Sequence, residues 1–584
     1  MSEKRLQKLE LTWIGKDKRP RLEPRVLVEN PELSHHAAER RRDGKDIFDN
    51  MLIHGDNLLA LKALEQEYAG KVKCIYIDPP YNTGNAFEHY DDGLEHSIWL
   101  GLMRDRLDLL HKLLSDDGLL FVQIDDSEQA YLTLLIDEIF GREKRLNTIC
   151  VKMSEASGVK MAHVDKRLPK LKEYILVYFK NSIPRLIPEE IDIVEWNEEY
   201  KQILVGIPEK QIDKLHDLLS KEATKETLAQ CNNILSKGRI KSLVKHLKDL
   251  KINEESCDEW KFKNAKFIIQ AVGSSSVFNI AKNTRLLPQD IMAVRSATGL
   301  IYLIKTDVDF SAKQPRVQII FASDNLKTNQ GDLWLDIKTT GGVGQEGGVL
   351  FANSKKPEKL ICKILRLCTN PGDLVLDSFL GSGTTAAVAH KMGRRWIGVE
   401  LGGHCYTHCK VRLDKVINGE DQGGISKAVG WKGGGGYRFF ELAPTLIKED
   451  AYGQKIINPE YNAEKLAEAV CKLEGFTYAP SETEYFIHGY STERDYIYVI
   501  TNYLKAEHLQ ALNELVGTDR TLLVCCKGFS TGGKFKNLTV KKIPKAVLDR
   551  CEYGHDDYSL NVKNLPMAAE EMEQGDLFGG DGND

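Results

Sequence analysis

The chain has 584 residues, of which 42% are hydrophobic and 28% charged, and its formal net charge is −5. At roughly 100–200 residues per domain, this length predicts three or four globular units. No apolar run approaches the roughly 18 residues of a membrane span, and the first residues lack the apolar core of a signal peptide. We therefore expect a cytoplasmic protein without a membrane partner.

The twelve cysteines are scattered along the chain, which predicts reduced, buried thiols rather than a disulfide framework. Cys405, His408 and Cys409 form a candidate metal cluster, but no second ligand pair stands at zinc-like spacing. The favoured interpretation is one helix with both cysteines on the same face. We predict no metal site.

Charge is unevenly distributed. The N-terminal stretch carries KDKRPR and ERRRDGK, residues 200–270 are rich in lysine, and the last residues are acidic. A neutral total can conceal a basic channel for nucleic acid. Solvated charged faces would give the same counts, so both interpretations stay open.

The first half alternates strands and helices. Residues 51–54 predict a strand, Gly55-Asp56-Asn57 a turn, and the following apolar positions a helix. Residues 73–77 form a continuous apolar strand, typical of a parallel strand covered on both faces, and it ends at Asp78-Pro79-Pro80-Tyr81. A helix over 95–115, further strands and another helix continue the alternation, which indicates an α/β sheet with crossover helices.

The rhythm breaks at 183 and resumes near 350, so we predict an inserted domain between the two halves. A strand ending at Asp377 then runs into a glycine turn and a helix, and the strand RWIGVE ends at Glu400. The predicted segments are a basic arm (1–50), a catalytic half (51–182), an α+β insert (183–333), a cofactor half (334–420), a glycine-rich linker (421–445), a C-terminal α/β domain (446–565) and a disordered acidic tail (566–584).

The glycine turn has nucleotide-binding character, because glycines admit a ligand close to the backbone and a helix end offers free N–H groups. Glu400 stands about 19 residues beyond Gly381, the position expected for hydrogen bonds to ribose hydroxyls. Ala386 replaces the third glycine of a dinucleotide fingerprint, and the lysine of a phosphate-binding loop is missing. These features favour a nucleoside without a phosphate chain, such as S-adenosylmethionine.

If the two halves share one sheet, the Asp-Pro-Pro-Tyr turn and the glycine turn face the same crevice, because ligand sites gather at the carboxyl ends of parallel strands. The pair D-P-P-Y-N-T-G and D-S-F-L-G-S-G-T-T resembles the amino-group DNA methyltransferases. The catalytic motif precedes the insert and the glycine motif follows it, which resembles the circularly permuted β-class. The stretches GDNLLAL, LLSDDGLLFVQIDD, KKPEKLI and GGGGYRFFEL extend the resemblance to the modification subunit of type III restriction–modification systems, over residues 51–180 and 334–445.

This resemblance implies a Rossmann-like methyltransferase sheet, S-adenosylmethionine as cofactor, and an insert that reads DNA. It also implies transfer of a methyl group to the N6 atom of an adenine flipped out of the duplex. In the implied mechanism, Asp78 and the carbonyl of Pro79 accept the two amino hydrogens, Pro80 shapes the turn, and Tyr81 stacks on the base.

The cofactor residues follow from the same resemblance. Asp56 is expected near the adenine of the cofactor and Glu400 at its ribose, while Lys356-Pro357 is expected to belong to the helix that closes its methionine end. The methionine side is implied to be lined by residues of the glycine motif: Asp377, Phe379, Gly381, Gly383 and Thr384.

Structural alternatives stay open for several of these residues. The Asp-Pro-Pro-Tyr stretch read alone could be a turn, Phe379 could be core packing, and Asp56 could be a helix N-cap. Lysines at 235–250 could follow DNA phosphates or form a solvated helix face.

The competing functions are cytosine-N4 methylation, a DNA-recognition subunit that guides a nuclease, an orphan methyltransferase and, remotely, a nucleotide-dependent oxidoreductase. The expected partners are double-stranded DNA, a second copy of the chain and a helicase-nuclease restriction subunit. Gln574, Leu577 and Phe578 resemble the short peptide by which bacterial proteins bind the DNA sliding clamp.

Overall fold

A computed structural model describes most of the chain, in two compact units that are treated separately below: Met1–Ile187 with Gly331–Asp584, and Pro188–Gln330. The predicted clamp peptide at Gln574, Leu577 and Phe578 and the predicted acidic tail lie outside the described residues. The described residues are 10–39, 41, 44–81, 92–154, 168–311, 315–337, 343–351, 355–530, 535–543, 545–548 and 550–558.

The first part of the larger unit alternates strands and helices. Its elements are β1 (Leu27–Glu29), β2 (His35–His36), β3 (Asn50–His54), α1 (Asn57–Tyr68), β4 (Val72–Ile77), α2 (Asp92–Leu113), β5 (Leu114–Ile124), α3 (Gln129–Phe140), β6 (Arg145–Lys152) and β7 (Lys172–Phe179).

The smaller unit, Pro188–Gln330, has an antiparallel six-stranded sheet in the order β10-β9-β11-β14-β13-β12, accompanied by helices and by the separate ribbon β15-β8. This unit therefore combines an antiparallel sheet with helices. Its elements are β8 (Glu190–Asp192), β9 (Gln202–Val205), α4 (Glu209–Leu219), α5 (Lys225–Leu235), β10 (Arg239–Ser242), α6 (Leu243–Asp249), α7 (Glu254–Lys263), β11 (Ile268–Gly273), α8 (Ser275–Lys282), β12 (Ile291–Arg295), β13 (Ile301–Lys305), β14 (Arg316–Phe321) and β15 (Lys327–Asn329).

The larger unit then continues, first through the predicted cofactor half and then through a second, five-stranded sheet in the order β22-β23-β24-β25-β26. Its elements are β16 (Leu333–Trp334), α9 (Glu358–Cys368), β17 (Leu374–Asp377), α10 (Thr384–Lys391), β18 (Arg395–Glu400), α11 (Val411–Ile417), α12 (Ser426–Val429), β19 (Gly436–Leu442), β20 (Ile447–Glu449), β21 (Lys455–Ile457), α13 (Ala463–Glu474), β22 (Thr477–Tyr478), β23 (Gly489–Tyr490), β24 (Asp495–Leu504), α14 (Ala506–Val516), β25 (Thr521–Phe529), β26 (Leu538–Lys542) and α15 (Lys545–Leu548).

The large sheet has the order β1-β19-β3-β18-β17-β4-β5-β7-β6-β16. From β19 to β5 all neighbours are parallel, and β7 runs antiparallel between β5 and β6. β4 from the first half pairs with β17 from the second, with Leu376 opposite Ile75. The two halves therefore share one sheet.

Strand β4 shows why the sheet is buried on both faces. Cys74 and Tyr76 point into one apolar cluster, which includes side chains of α9, α10 and α11. Ile75 and Ile77 point into a second cluster, which includes side chains of α1, α2 and α3. Successive side chains of a strand alternate between faces, so a continuous apolar run is what a doubly covered strand requires.

Two predicted segments are more ordered than their composition suggested. The interval 421–445, expected to be a linker, contains β19, which lies inside the large sheet. The expected basic arm contributes β1 and β2, which both pair with β19. The glycines before β19 serve close backbone approach: Gly435 has a positive φ of 73°, and a Cβ there would lie 2.7 Å from the Ile47 carbonyl oxygen.

Among the described residues, no helix combines the length and the apolar character that crossing a membrane would require.

A buried ion cluster joins α9, α10 and α11 on one face of the large sheet. Glu358 lies 2.9 Å from Lys391 and 2.8 Å from Arg412, and Lys391 also contacts Asp421 at 2.7 Å. The side chains of Glu358, Lys391 and Arg412 are all 0% exposed. Removing one partner leaves buried charge uncompensated, which typically costs about 3–5 kcal/mol.

We therefore expect Glu358→Gln to lower the free energy of unfolding by about 3 kcal/mol, because Arg412 loses its carboxylate partner. Urea denaturation measures this change. Glu507→Gln is the matched control, since Glu507 forms an exposed pair with Lys505 and such pairs contribute little. Equal destabilisation by the two substitutions would contradict the assignment.

Candidate active site

The predicted site residues converge at one edge of the large sheet. Asp78 follows β4, Asp377 ends the neighbouring strand β17, and Glu400 ends β18. Glu400 lies opposite His54 at the end of β3, two residues before Asp56. These strands are parallel neighbours, so their carboxyl ends form the crevice where open α/β sheets bind ligands.

At the end of β4, Asp78 is held by two neighbours. One carboxylate oxygen accepts a hydrogen bond from the Tyr81 hydroxyl at 2.7 Å, and the other lies 3.2 Å from Lys356 Nζ. A fifth of the Asp78 side chain is exposed. Burial raises the pKa of Asp78, and the positive charge of Lys356 opposes that shift. The carboxylate can thus meet a ligand while a cation keeps its charge compensated.

Lys356 lies at the centre of this group. Its ammonium contacts Asp78 at 3.2 Å, Glu173 at 3.1 Å and the Tyr81 hydroxyl at 2.8 Å. Burial lowers the pKa of Lys356, but the two carboxylates outweigh that effect and the net shift is upward. Lys356 is therefore a fixed positive charge, and its three hydrogens match three acceptors.

Buried polar groups on neighbouring elements hold Glu173 and the Asp78-Pro79-Pro80-Tyr81 turn in place. Gln123 on β5 donates to Glu173 at 2.5 Å, and its amide oxygen accepts from the Tyr76 hydroxyl at 2.6 Å. The Trp99 indole donates to the Pro80 carbonyl at 2.8 Å, which fixes the turn against α2. Pro79 beside it is buried and Pro80 is exposed. The turn is thus attached to α2 through its backbone.

The glycine turn after β17 is organised by Asp377. Its carboxylate accepts from the Phe379 backbone N–H at 2.9 Å and from the Thr385 hydroxyl at 2.6 Å. Both partners are neutral, and burial raises the pKa of Asp377 to about 7. Gly381 and Gly383 have φ values of 58° and 79°, the left-handed region that suits glycine.

Phe379 and Thr384 face different surroundings. Phe379 is partly buried against the apolar cluster that contains α1 and α2, so the core-packing alternative describes part of its environment. Thr384 is 4% exposed, and its hydroxyl accepts from Arg412 at 2.7 Å. Thr384 thereby connects the glycine turn to the buried ion cluster.

Glu400 binds the glycine turn from the next strand. One oxygen accepts from the Gly381 N–H at 2.7 Å, and the other accepts from Gly402 N–H and from His404, both at 2.9 Å. Burial raises the pKa of Glu400, but the bond from His404 and the backbone donors outweigh it, so the net shift is downward. An ionised acceptor thus stands beside Gly381.

Asp56 is the N-cap of α1, as one of its two interpretations anticipated. One oxygen accepts from the backbone N–H groups of Leu58 and Leu59 at 2.9 and 3.1 Å. The other accepts from Arg106 at 3.3 Å and from the Tyr558 N–H at 2.9 Å. These four bonds use the lone-pair positions of the carboxylate. Direct contact between Asp56 and a cofactor stays a prediction.

The sequence does not predict that Glu173 and the ammonium group of Lys356 lie beside Asp78 and Tyr81. Glu173 belongs to β7, which runs antiparallel to β5, so the start of β7 meets the edge where its neighbours end. A search restricted to the carboxyl ends of strands overlooks such a residue. The acidic pair at the end of β5, which the sequence did not assign to the site, is engaged by lysines: Asp125 with Lys170 and Asp126 with Lys172.

The cysteine and histidine cluster packs beside the glycine turn. Residues Cys405–Lys410 form a π-helical turn that leads into α11, and Cys405 and Cys409 are buried. The Cys409 thiol donates to the Gly381 carbonyl at 3.0 Å. Within the described ranges, no group of three or more His, Cys, Asp or Glu side chains has the arrangement of a metal site.

Comparison with known proteins decides the family. A family model of DNA methylases matches residues 72–410, which include both motifs and the insert. The chain belongs to the DNA methylase family. This confirms the resemblance that the two motifs predicted.

Three relatives illustrate the membership. The probable type III restriction–modification enzyme HindVI Mod subunit of Haemophilus influenzae is 37% identical over 70% of this chain and 55% of that protein. The StyLTI Mod subunit of Salmonella typhimurium, also type III, is 28% identical over 65% of this chain and 55% of that protein. The type II methyltransferase M.EcaI of Enterobacter cloacae is 30% identical over 61% of this chain and 67% of that protein. The chain thus spans about half the length of the two Mod subunits.

The elevated pKa of Asp377 leads to a stability prediction. The folded-state pKa of about 7 exceeds the ordinary value of 3.8, so folding is penalised when this carboxyl ionises. The penalty is complete above pH 7 and disappears as the pH falls towards 4. We expect Asp377→Asn to raise the free energy of unfolding at pH 8 by roughly 1–4 kcal/mol and to change it little near pH 4.5.

In Asp377→Asn the amide oxygen can still accept from the Phe379 N–H, and the amide nitrogen can donate to the Thr385 hydroxyl oxygen, so both contacts are kept while the charge is removed. Denaturant titrations at pH 8 and pH 4.5 measure the effect. Asp117→Asn is the control: Asp117 is exposed and paired with Lys73, which lowers its pKa, so its removal should slightly destabilise at pH 8. A stability gain for Asp377→Asn that is independent of pH would refute the explanation.

Proposed function

We propose that the chain is a site-specific DNA adenine-N6 methyltransferase that uses S-adenosylmethionine and acts as the modification and specificity subunit of a type III restriction–modification system. The observation that carries this proposal is the pairing of β4 with β17, which sets Asp78 beside the glycine turn. The names of the Mod-subunit relatives support the type III assignment.

The residues around the glycine turn suit a nucleoside sulfonium. Two glycines with positive φ shape a turn that carries no side chain at those positions, and Glu400 offers an ionised acceptor for ribose hydroxyls. No lysine or arginine stands between Ser378 and Thr384, as expected for a ligand without phosphates. When bound, the cofactor supplies an activated methyl group on a positively charged sulfur.

The chain's own residues would activate and orient the target amine. The lone pair of an adenine amino group is delocalised into the ring, so the amine is a weak nucleophile. Hydrogen bonds from its two hydrogens to the Asp78 carboxylate and the Pro79 carbonyl favour a pyramidal nitrogen whose lone pair points at the methyl group. Tyr81 would stack on the base. Catalysis is then positioning and electrostatic stabilisation, without a covalent intermediate.

The base has to leave the duplex to reach Asp78. The insert Pro188–Gln330 is the proposed target-recognition domain, placed between the catalytic and the glycine motif as in a circularly permuted β-class methyltransferase. Its exposed lysines, among them Lys241, Lys245 and Lys248 on β10 and α6, support a role in contacting phosphates.

The proposed partners are double-stranded DNA, a second copy of the chain, a helicase-nuclease restriction subunit and the sliding clamp. Cytosine-N4 methylation is the alternative chemistry, and that reaction more often uses serine before the two prolines. Asp78 favours adenine. Sequencing the modified bases of host DNA with and without the gene would identify the target base and its motif together.

Asp78→Ala should reduce methyl transfer by about 10²–10³-fold or more, because the amine loses its charged acceptor. Transfer of a radiolabelled methyl group to DNA measures the loss, and a gel-shift assay should show unchanged DNA binding. The control is Asp126→Ala, which removes a half-exposed carboxylate paired with Lys172 at the same sheet edge. Full methyl transfer by Asp78→Ala would overturn the mechanism.

Lys356 generates a pH prediction. Asp78 must be ionised to accept the amino hydrogen, and activity is lost as the pH falls through its pKa. Lys356 opposes the upward shift that burial imposes on the pKa of Asp78. In Lys356→Met the acidic limb of the kcat profile should therefore move to higher pH, while Lys356→Arg should keep it near the wild-type position. An unmoved acidic limb in Lys356→Met would contradict this role.

A further inference from the structure

After the five-stranded sheet of its C-terminal part, the chain returns to the elements that surround the large sheet. Residues 550–558, here called the strap, follow α15 and lie against the N-terminal arm. The Glu552 N–H donates to the Arg21 carbonyl at 2.8 Å, and the buried Arg25 donates to the His555 carbonyl at 3.0 Å. The Gly554 N–H donates to the Thr445 hydroxyl at 3.0 Å. Backbone bonds at three positions thus give the strap a defined course.

Tyr558, the last described residue of the strap, lies at the N-terminus of α1. The Tyr558 N–H donates to Asp56 at 2.9 Å, and its carbonyl accepts from Arg106 at 3.1 Å. Asp56 and Arg106 also contact each other at 3.3 Å and are 1% and 2% exposed. One residue of the strap therefore completes the hydrogen bonding of a buried ion pair. Leaving such a pair incompletely bonded is costly.

Arg106 and Asn57 carry the effect of this contact to the glycine turn. Arg106 donates to the Asn57 side-chain oxygen at 2.5 Å. The Asn57 amide nitrogen donates to the Ser378 carbonyl at 2.8 Å. Ser378 is the first residue of the glycine turn and precedes Phe379. Tyr558 is thus joined to the glycine turn through three consecutive hydrogen bonds.

We propose that the strap belongs to the S-adenosylmethionine site and that Tyr558 is a positioning residue, which acts through Arg106 and Asn57 on the glycine turn. The identity of the cofactor rests on the proposed function. The strap also ties the C-terminal domain to cofactor affinity, because it follows directly on the sheet and helices of that domain. By linkage, a cofactor that binds better when the strap is docked must in turn hold the strap in place.

Hydrogen–deuterium exchange on the full-length protein tests this reciprocity. Titration calorimetry first establishes S-adenosylmethionine binding, and exchange of the 550–558 segment is then followed with and without the cofactor. We expect slower exchange with cofactor, in the wild type and equally in Asp78→Ala. Unchanged or faster exchange, despite measured binding, would overturn the strap proposal alone. Absence of cofactor binding by the wild type would overturn the proposed function and the strap proposal together.

Substitutions at Tyr558 separate the backbone contact from the side chain. Tyr558→Pro removes the N–H that Asp56 accepts, whereas Tyr558→Ala and Tyr558→Phe keep it. Tyr558→Phe removes only a buried hydroxyl that has no hydrogen-bond partner among the described residues. We expect the Kd and KM for S-adenosylmethionine to rise by about tenfold in Tyr558→Pro, with the KM for DNA unchanged, and to stay near wild type in Tyr558→Phe.

Thermal unfolding of the same variants identifies a purely structural role. If Tyr558→Pro lowers the Tm while the folded protein binds S-adenosylmethionine with wild-type Kd, the strap stabilises the fold without positioning the site. That result would overturn the proposal. A Kd for Tyr558→Ala closer to wild type than that of Tyr558→Pro would support the proposal, since that variant keeps the backbone bond and loses only the packing of the ring. An equal rise of the Kd in the two variants would assign the effect to the ring and overturn the backbone role.

Discussion

The pairing of β4 with β17 is the constraint on which the rest of the site depends. These strands belong to different halves of the sequence, and their register places Ile75 opposite Leu376. Both strands are buried on both faces, so the pairing is fixed by apolar packing against helices of two layers. Because the strands are parallel, the turns that follow them open on the same crevice. Any shift of this register would separate Asp78 from the glycine turn.

Three carboxylates at this edge have different environments, and their pKa values move accordingly. Asp377 accepts hydrogen bonds from two neutral groups, and burial raises its pKa to about 7. The pKa of Asp78 also rises on burial, but Lys356 opposes the shift. Glu400 has a histidine and two backbone donors, and its pKa falls. A site that keeps Asp377 without a cation sacrifices stability at neutral pH, as functional sites often do.

The sequence predicts the parts of the site that follow local rules. An apolar strand, a proline turn and a glycine turn each have a short-range signature. The sequence predicts an insert at 183–333, and the smaller structural unit spans Pro188–Gln330. Glu173 and the strap follow no local rule. Glu173 reaches the site because β7 is antiparallel to its neighbour. Tyr558 reaches it because the chain folds back from a second sheet, and its contact uses backbone atoms that carry no sequence signal.

The glycine run at 433–436 shows a second limit of prediction from sequence, since here a local pattern is present but has two interpretations. Composition predicts a flexible linker, whereas the structure uses these glycines for close approach and then continues directly into β19. Composition cannot distinguish a glycine chosen for freedom from one chosen for lack of a side chain. The distinction matters here, because β19 lies between β1 and β3 and holds the N-terminal arm on the sheet.

Under the proposed function, the points at which the insert joins the larger unit explain how DNA recognition and catalysis can vary independently. The chain leaves the larger unit after β7 and returns at β16, which pairs with β6 at the end of the strand order. The parallel strands from β19 to β5, which include β4 and β17, are therefore not interrupted by the insertion. Under the proposed function, we expect an exchange of the insert to alter the DNA sequence that is read and to leave Asp78, Lys356 and the glycine turn in place.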